Sequence, residues 1–395
     1  VSSFFSFSLF FGIFEFIRGS ILTGFPWNLI AYSFSNHLEI LSITSFIGTY
    51  GFNLFCISLF ASPAVFILRD TKKDIGVCII FLMMPLLFYM YGLSYKQTFS
   101  TSDVVSYNYK VRAIGSNISL ERFYSNTDPV LVIKDLIEIS EPIKNEKTIF
   151  VWPEGILPEI SQKELFEYKW LFEKRFDKNH LLLIGINNQT TNKESINYFN
   201  SLSIYDHNLE LLNFYNKVDL VPFGEFLPFE DKLKALGLRS ITNNYQSFSK
   251  GNIREIIEIN REGFSIKILP LICYEIIYSG KIFTNSNFDL IINISEDGWF
   301  GSSIGPKQHF THNIFRAIES GKYLLRSANN GIAAIINPLG IVEQKVEYGK
   351  SGYVDFKEAK KIQPTLFAKY GNKIFITLIL LYIFIIFSFN RIKNE

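Results

Sequence analysis

The sequence is poor in cysteine, in net charge and in charged residues altogether. Its 395 residues include only Cys56, Cys78 and Cys273, so no framework of several disulfides is expected. The formal net charge of +2 excludes the strongly basic surface of a typical nucleic-acid-binding protein, and we expect no nucleic acid among its partners. Charged residues make up only 19% of the chain, and some long segments contain none of them.

Four long apolar segments predict helices that cross a membrane. They cover residues 1–17, 41–68, 75–93 and 374–389. A membrane-spanning helix needs about 20 apolar residues, and a buried helix of a soluble domain rarely runs as long as the second segment without a charge. We therefore expect residues 1–96 to form about three spans with a periplasmic loop near 19–40. Residues 371–395 are expected to form one more span and a short cytoplasmic tail.

Basic residues beside these segments predict on which side of the membrane each part of the chain lies. Lys72 and Lys73 separate the second and third segments, and Arg391 and Lys393 follow the last one. Short basic loops remain in the cytoplasm. Residues 97–370 are therefore expected on the opposite side, which in a bacterium is the periplasm. The pattern predicts a multi-pass protein of the bacterial inner membrane.

The large segment between the third and fourth apolar runs alternates between strand-like and helix-like patterns. Predicted strands, rich in Ile, Val, Leu and Phe, cover residues 110–118, 148–152, 181–186, 201–205, 265–272, 290–295 and 331–336. Predicted helices cover residues 129–139, 162–176 and 306–320. Such alternation is typical of sheets covered by helices, so we expect an α/β sandwich domain.

Several residues with reactive side chains lie at the ends of predicted strands or in the loops between them. Cys273 ends one strand, and it has no disulfide partner in an oxidising compartment because the other two cysteines lie in apolar segments. Glu154 lies just past another strand, and Lys217 and Glu225 share a loop punctuated by proline and glycine. Sites in α/β folds gather at the carboxyl ends of strands, so we expect these residues to meet.

A cysteine, a carboxylate and an ammonium form a complete set for covalent acyl transfer. The thiolate is the nucleophile, and Glu154 would take the thiol proton as general base. Lys217 would lower the pKa of the thiol and stabilise the oxyanion of a tetrahedral intermediate, with the backbone N–H of Tyr274 as a second donor. The product of such a reaction is a thioester on Cys273.

Other patterns offer alternative sites. The sequence Gly-Ser-Ser-Ile-Gly around Ser303 fits a serine-hydrolase motif. That fold needs an acid and then a histidine later in the chain, and the only later histidines, His309 and His312, are too close. His309 and His312 share a helix face near Glu319, yet no His-Glu-x-x-His pattern exists, so we expect no metal. A papain-like pair of the candidate cysteine with His309 stays open, and such an enzyme would not need the candidate lysine.

Taken together, the motifs resemble the carbon–nitrogen hydrolase (nitrilase) superfamily and, more closely, the apolipoprotein N-acyltransferase family. The Glu–Lys–Cys set of the superfamily falls on Glu154, Lys217 and Cys273. Segments similar to the family run in family order over nearly the whole chain: TGFPW at 23–27, WPE at 152–154, VPFGE at 221–225, CYE at 273–275, DGWFGSSIGP at 297–306 and LRSANNG at 325–331. Generic nitrilases share the reactive set but not the TGFPW segment or the flanking apolar helices.

The resemblance implies a four-layer αββα nitrilase-like sandwich flanked by transmembrane α-helices, and no cofactor. It implies transfer of a fatty acyl chain from a membrane phospholipid, usually phosphatidylethanolamine, through a cysteine thioester to the α-amino group of the diacylglyceryl-cysteine of an apolipoprotein. Cys273 would be the nucleophile, Glu154 the base and Lys217 the oxyanion-stabilising lysine. Residues expected to bind or support the substrate are Glu225, Tyr274, Glu275 and Trp299. The family has eight spans, so further spans are expected before Val1.

Two other functions stay open on the sequence alone. A membrane-tethered amidase or nitrilase would act on a small soluble substrate and would need no lipid. A non-catalytic membrane scaffold with a nitrilase-like domain would leave Glu154 and Lys217 far from Cys273. The mutual placement of these three side chains therefore separates an enzyme from a scaffold.

Overall fold

The computed structural model describes residues 1–394 except 70, 126, 192–195, 230–246, 262 and 282–286. Its helices are α1 (Ser2–Arg18), α2 (Leu38–Leu41), α3 (Thr44–Ile67), α4 (Lys72–Ser100), α5 (Pro129–Ser140), α6 (Lys169–Phe172), α7 (Gly305–Ser320), α8 (Leu366–Tyr370) and α9 (Lys373–Asn394). Three of the described helices are long and apolar enough to cross a membrane: Thr44–Ile67, Lys72–Ser100 and Lys373–Asn390. The first predicted span corresponds to α1, which has 17 residues.

The long helices pack on one another through aromatic side chains. Phe5 on α1 lies against Phe81 on α4, with 6.0 Å between ring centroids, and against Tyr382 on α9 at 5.3 Å. The outer faces of these helices are also apolar, as shown by the exposed Leu82 and Phe384. A helix that is apolar on all sides is typical of a membrane segment, because lipid replaces water on its outer face.

Helix α3 is interrupted near its start by Gly48. Its backbone angles, φ 69° and ψ 174°, lie outside the helical region, and they are accessible to glycine at little cost. A Cβ atom at this position would lie 2.0 Å from Cε2 of Phe367 on α8, so close packing also requires glycine here. The regular part of the membrane helix therefore begins at Thr49.

Among its described residues, the large domain contains one continuous sheet of twelve strands. The strands are β1 (Val104–Ser116), β2 (Thr148–Val151), β3 (His180–Thr191), β4 (Ile196–Asp206), β5 (Leu211–Asn216), β6 (Ile257–Arg261), β7 (Phe264–Ile272), β8 (Leu290–Glu296), β9 (Tyr323–Asn329), β10 (Ala333–Ile336), β11 (Val342–Val346) and β12 (Gly352–Lys360). Their order is β5-β4-β3-β2-β1-β9-β8-β7-β6, while β10 pairs with β9 and β11, and β12 pairs with β1. The two halves of the sheet meet where β1 runs parallel to β9, with Gly115 opposite Ala328.

Alternate residues of the strands face two different layers. Phe150 of β2 and Leu182 of β3 pack on α5 and α6, whereas Ile149 and Val151 of β2 face the other half of the sheet. Helix α7 lies against β9 and β10 on the far side. The layers therefore run helix, sheet, sheet, helix, which confirms the predicted four-layer αββα sandwich.

Some predicted elements differ from those in the structure. The seven predicted strands are present, but β5, β6, β9, β11 and β12 were not predicted, because polar residues interrupt their apolar pattern. The helix predicted over 162–176 is wrong: a 3₁₀ turn at Glu164–Tyr168 leads into the four-residue α6. The buried side chains Leu165, Phe172 and Phe176 keep the spacing of a helix face, which is why the sequence pattern predicted a helix there.

Candidate active site

The carboxylate of Glu154 is buried three residues beyond the end of β2. Its Oε1 accepts hydrogen bonds from Lys217 Nζ at 3.1 Å and from Asn200 Nδ2 at 2.7 Å. Its Oε2 accepts one from the backbone N–H of Glu296, just where β8 ends, at 2.9 Å. These three donors fix the orientation of the carboxylate.

Lys217 follows β5 directly and places its ammonium between two carboxylates. Nζ lies 3.1 Å from Glu154 Oε1 and 2.9 Å from Glu225 Oε1, and the side chain is 1% exposed. Burial lowers the pKa of Lys217, but the two carboxylates raise it by more, so this pKa lies well above its usual value. Lys217 is therefore a fixed positive charge and not a base.

Asn200 on β4 joins the same two carboxylates. Its Nδ2 donates to Glu154 Oε1 at 2.7 Å and to Glu225 Oε1 at 2.8 Å, so each oxygen accepts from both Asn200 and Lys217. Glu225 Oε2 accepts the N–H of Val221 at 2.9 Å, which closes the loop onto this cluster. Asn200 was not predicted, because it lies just before the predicted strand 201–205 and β4 contains several other polar residues.

Cys273 is the first residue after β7, and its backbone is strained. Its φ of 48° lies in the left-handed region, which is uncommon for residues other than glycine. Such strain occurs where surrounding structure holds a side chain in a required orientation. The thiol lines the same cavity as Glu154 and Lys217. This placement differs from that of a scaffold, which would leave the three residues apart.

The surroundings of Cys273 keep its thiol protonated. Burial raises the pKa of the thiol well above its usual value, and the negative charge of Glu154 raises it further. Lys217 acts in the opposite direction and stabilises the thiolate once the proton is gone. The site therefore suits a thiol that loses its proton to a neighbouring base during attack.

The side chains of the two alternative sites, His309 and Ser303, are both engaged in hydrogen bonds that hold turns of the chain. Both ring nitrogens of His309 are engaged: Nδ1 lies 2.9 Å from Asp297 Oδ1, and Nε2 donates to the backbone carbonyl of Cys273 at 3.2 Å. His309 thus holds the turn of the cysteine, not its thiol. Ser303 donates to the carbonyl of Phe300 at 2.7 Å and accepts the N–H of Gly305 at 3.0 Å, which is a turn at the start of α7.

Asp297 explains why His309 has this orientation. The buried carboxylate accepts hydrogen bonds from Arg326 at 2.9 and 3.0 Å and from Ser295 Oγ at 2.8 Å. Burial raises the pKa of Asp297, but Arg326 and His309 lower it by more, so the carboxylate is ionised. Asp297 and Arg326 belong to two family motifs, but their contact could not be predicted, because Asp297, His309 and Arg326 lie on different elements.

Glu275 supports the site from below and has no exposed surface. Its Oε2 accepts the N–H of Ile272 at 2.8 Å, and its Oε1 accepts the N–H groups of Val218 and Asp219 at 2.8 and 3.1 Å. Arg254 Nη2 also donates to Oε1 at 2.9 Å. One carboxylate therefore ties the turn of the nucleophile to the loop that follows the lysine.

We expect Glu275→Gln to lower the free energy of unfolding by about 3 kcal/mol, because an amide cannot accept all these bonds and leaves the buried Arg254 with less counter-charge. The measurement is thermal unfolding in detergent. The matched control is Glu258→Gln on the exposed side of β6, which should shift stability by less than about 0.5 kcal/mol. Equal stability of the two variants would contradict this role of Glu275.

Tyr274 and a neighbouring tyrosine fasten the TGFPW segment to the large domain. The Tyr274 hydroxyl donates to the carbonyl of Gly24 at 2.6 Å, and the Tyr278 hydroxyl donates to that of Thr23 at 2.7 Å. Trp27 at the end of the segment donates its indole N–H to Gln308 Oε1 at 2.9 Å. The segment between the apolar helices thereby becomes part of the wall around Cys273.

The cavity at these residues has a volume of about 660 Å³, within the range of ligand sites. Phe25, Trp27, Phe123 and Trp299 line one side, and the ring of Trp299 packs on that of Phe123 at 4.8 Å between centroids. Trp299 itself is half exposed at the rim. A wall of aromatic rings beside a buried nucleophile suits an apolar chain attached to an acyl group.

Two family descriptions match the chain. Residues 132–354 match the carbon-nitrogen hydrolase family, and residues 1–62 match the N-terminal domain of apolipoprotein N-acyltransferase. The first match covers the strands that carry Glu154, Lys217 and Cys273. The second covers α1, the TGFPW segment and most of α3.

Curated relatives match over nearly the whole chain. The apolipoprotein N-acyltransferase of Bradyrhizobium diazoefficiens is 31% identical over 374 residues, which are 91% of this chain and 68% of that protein. The enzyme of the same name from Rickettsia bellii is 32% identical over 401 residues, 99% of this chain and 76% of the other. Among solved structures, an amidase from Nesterenkonia sp. AN1 aligns with a TM-score of 0.42 and 14% identity, covering 64% of this chain and 91% of the amidase.

Proposed function

The chain belongs to the apolipoprotein N-acyltransferase family, and we propose that it transfers a fatty acyl chain from a membrane phospholipid to the α-amino group of an apolipoprotein. The acceptor amine is that of the diacylglyceryl-cysteine, and the acyl group travels as a thioester on Cys273. The observation that carries the proposal is the buried contact of Glu154 with Lys217 in the cavity of Cys273, in a chain with helices able to cross a membrane.

In the first half of the reaction Cys273 attacks the ester carbonyl of the phospholipid. Glu154 takes the thiol proton as the S–C bond forms, and Lys217 stabilises the oxyanion of the tetrahedral intermediate. The intermediate collapses by breaking the bond to the glycerol oxygen. Glu154 returns its proton to that oxygen, so a lysophospholipid leaves and the thioester remains.

In the second half the neutral α-amine of the acceptor attacks the thioester carbonyl. Glu154 takes one proton from the nitrogen, and Lys217 again stabilises the oxyanion. The C–S bond breaks, the thiolate of Cys273 leaves, and it regains the proton from Glu154. The products are the N-acylated protein and the free thiol, so protons and bonds balance over the cycle.

The nature of the donor and the side of the membrane are also proposals. Glu159 and Glu164 lie among the residues that line the cavity. Their negative charge suits a phosphatidylethanolamine head group, whose ammonium it attracts. Lys72 and Lys73 at the start of α4 favour a cytoplasmic loop there, which places the large domain in the periplasm.

The test of this function is product formation in liposomes. We expect the purified chain to convert a synthetic diacylglyceryl-cysteine peptide into its N-acyl form with phosphatidylethanolamine faster than with phosphatidylglycerol. Mass spectrometry of the peptide is the readout, and Cys273→Ala is the inactive control. Ser303→Ala should behave as wild type, because that hydroxyl belongs to a turn. Ammonia release from a soluble amide without lipid, and no peptide acylation, would favour an amidase instead.

A further inference from the structure

Helix α7 connects the nucleophile to the membrane helices. Near its start, His309 donates to the backbone carbonyl of Cys273, and Gln308 accepts the indole N–H of Trp27. Near its end, Glu319 contacts α3. An α-helix rises 1.5 Å per residue, so the helix spans about 15 Å between His309 and Glu319 as one rigid element.

The contact of Glu319 with α3 is a buried carboxylate placed at the interruption of a helix. Its Oε1 accepts the backbone N–H of Thr49 at 2.7 Å and the Thr49 hydroxyl at 2.6 Å. The hydroxyl of Ser279, a few residues after the nucleophile, donates to the same oxygen at 2.6 Å. Because Gly48 departs from helical geometry, Thr49 begins the regular helix, and a carboxylate is favoured at a helix N-terminus.

Arg316, one turn earlier on α7, also takes part in this contact between α7 and α3. Its Nε lies 2.8 Å from Glu319 Oε2, Nη2 donates to Thr49 Oγ1, and Nη1 donates to the carbonyl of Ile277 at 3.1 Å. Arg316 and Glu319 have no exposed surface. A buried ion pair contributes little stability compared with apolar residues of similar size. The pair itself lies within α7, so it is the bonds of both side chains to Thr49 that tie α7 to α3.

The C-terminal membrane helix is fastened at the same place. Thr365, just before α8, donates its hydroxyl to the backbone carbonyl of Glu319. Asn372, just before α9, donates to the carbonyl of Ser279 at 2.9 Å. One end of α7 is therefore bonded to α3 directly and linked to the start of α9 through Ser279, while the other end of α7 holds the turn of Cys273.

We propose that Glu319 is a positioning residue, which holds the end of α7 on Thr49. It thereby sets the distance of Cys273 from the bilayer, at which the thiol meets an acyl chain that is still embedded there. The proposal rests on the proposed function, because it concerns delivery of the lipid donor to the same thiol. Glu319 is not among the described residues that line the cavity, so it acts through α7 and not on the substrate.

The test compares two donors of the same chemistry in the variant Arg316→Met/Glu319→Leu. This pair of changes removes the bonds to Thr49 without leaving a buried charge unpaired, so the variant should fold. The protein is placed in nanodiscs of ether-linked phospholipid, which cannot donate an acyl group. With long-chain phosphatidylethanolamine in the bilayer, we expect the Cys273 thioester to form at least tenfold more slowly than in wild type. With dihexanoyl phosphatidylethanolamine supplied from solution, the two rates should agree within twofold.

Alkylation of Cys273 by iodoacetamide reports that the site is intact and should change by less than twofold. Lys345→Met/Glu347→Leu, which removes an exposed ion pair at the end of β11, is the matched control and should leave both donor rates unchanged. Thr49→Val, which removes only the hydroxyl bonds, should lose less of the bilayer rate. Equal losses with both donors, or no loss with either, would overturn the proposal. A wild-type protein that forms no thioester from any lipid would overturn the proposed function itself.

Discussion

Replacing Glu154 by Gln is expected to slow formation of the Cys273 thioester by about a hundred- to ten-thousand-fold, the usual contribution of a general base. Glutamine keeps the size of the side chain and can still accept from Lys217, but it cannot take the thiol proton. Mass spectrometry of the cysteine peptide at timed intervals measures the rate. The matched control, Glu138→Gln on the exposed face of α5, should leave the rate unchanged.

The Glu154→Gln variant should also have a lower pKa of the Cys273 thiol than wild type, although it transfers acyl groups more slowly. The charge of Glu154 raises the pKa of Cys273, so its removal lowers that pKa towards the usual value. At a pH below both pKa values, the protein with the lower thiol pKa contains more thiolate. Alkylation of Cys273 at pH 8 to 9 should therefore be faster in the variant than in wild type. A variant that keeps full acyl transfer, or whose thiol titrates at higher pH than wild type, would contradict this assignment.

Replacing Lys217 by Met is expected both to destabilise the protein and to slow acyl transfer. Glu154 and Glu225 would then face each other in a buried site, where Asn200 still donates to both, at a cost of about 3–5 kcal/mol. Loss of a charged oxyanion donor costs a further factor of about a hundred to a thousand in rate. The measurements are thermal unfolding and the thioester rate of the remaining folded protein.

A second variant separates these two effects. Lys217→Met combined with Glu225→Gln leaves one buried carboxylate in place of two, so it should recover part of the lost stability but none of the activity. Lys134→Met on the exposed side of α5 controls for the loss of a lysine and should change neither quantity. Full activity of Lys217→Met would contradict the role of the lysine and would reopen a Cys–His mechanism with His309.

The positions of Glu154 and Cys273 could be predicted because each follows a buried strand, and buried strands are recognised in a sequence as runs of Ile, Val and Leu. Val151 and Ile272 end such runs, and polar residues that follow them collect at one edge of the sheet. Lys217 was harder to place, since β5 before it has one buried residue and was not predicted as a strand. It was selected because it shares a loop punctuated by proline and glycine with Glu225, and the family motif in that loop agreed with this choice.

Asn200 and the Asp297 network could not be predicted because they depend on strand pairing between distant parts of the chain. Asn200 meets Glu154 only because β4 and β2 both pair with β3. Asp297 meets Arg326 because β8 and β9 run side by side, and Asp297 in turn contacts Nδ1 of His309, whose Nε2 donates to the carbonyl of Cys273. Sequence patterns identify the strands but not these neighbours.

Tyr274 and Glu275 show how far adjacent residues can differ in role. The sequence places both beside Cys273 and does not separate them. In the fold, Glu275 turns inward and holds two loops from below, whereas Tyr274 lines the cavity and fastens Gly24. The large domain and the segment between the membrane helices therefore share the wall of one site.

The most direct test of the central claim is the mass of the Cys273 peptide after incubation of the purified protein with phospholipid. We expect one acyl chain on this cysteine, released by hydroxylamine as a thioester is, and lost when the diacylglyceryl-cysteine peptide is added. The mass lost from Cys273 should reappear as an amide on the peptide. An unmodified Cys273, or a Cys273→Ser variant that acylates the peptide as fast as wild type, would contradict the account.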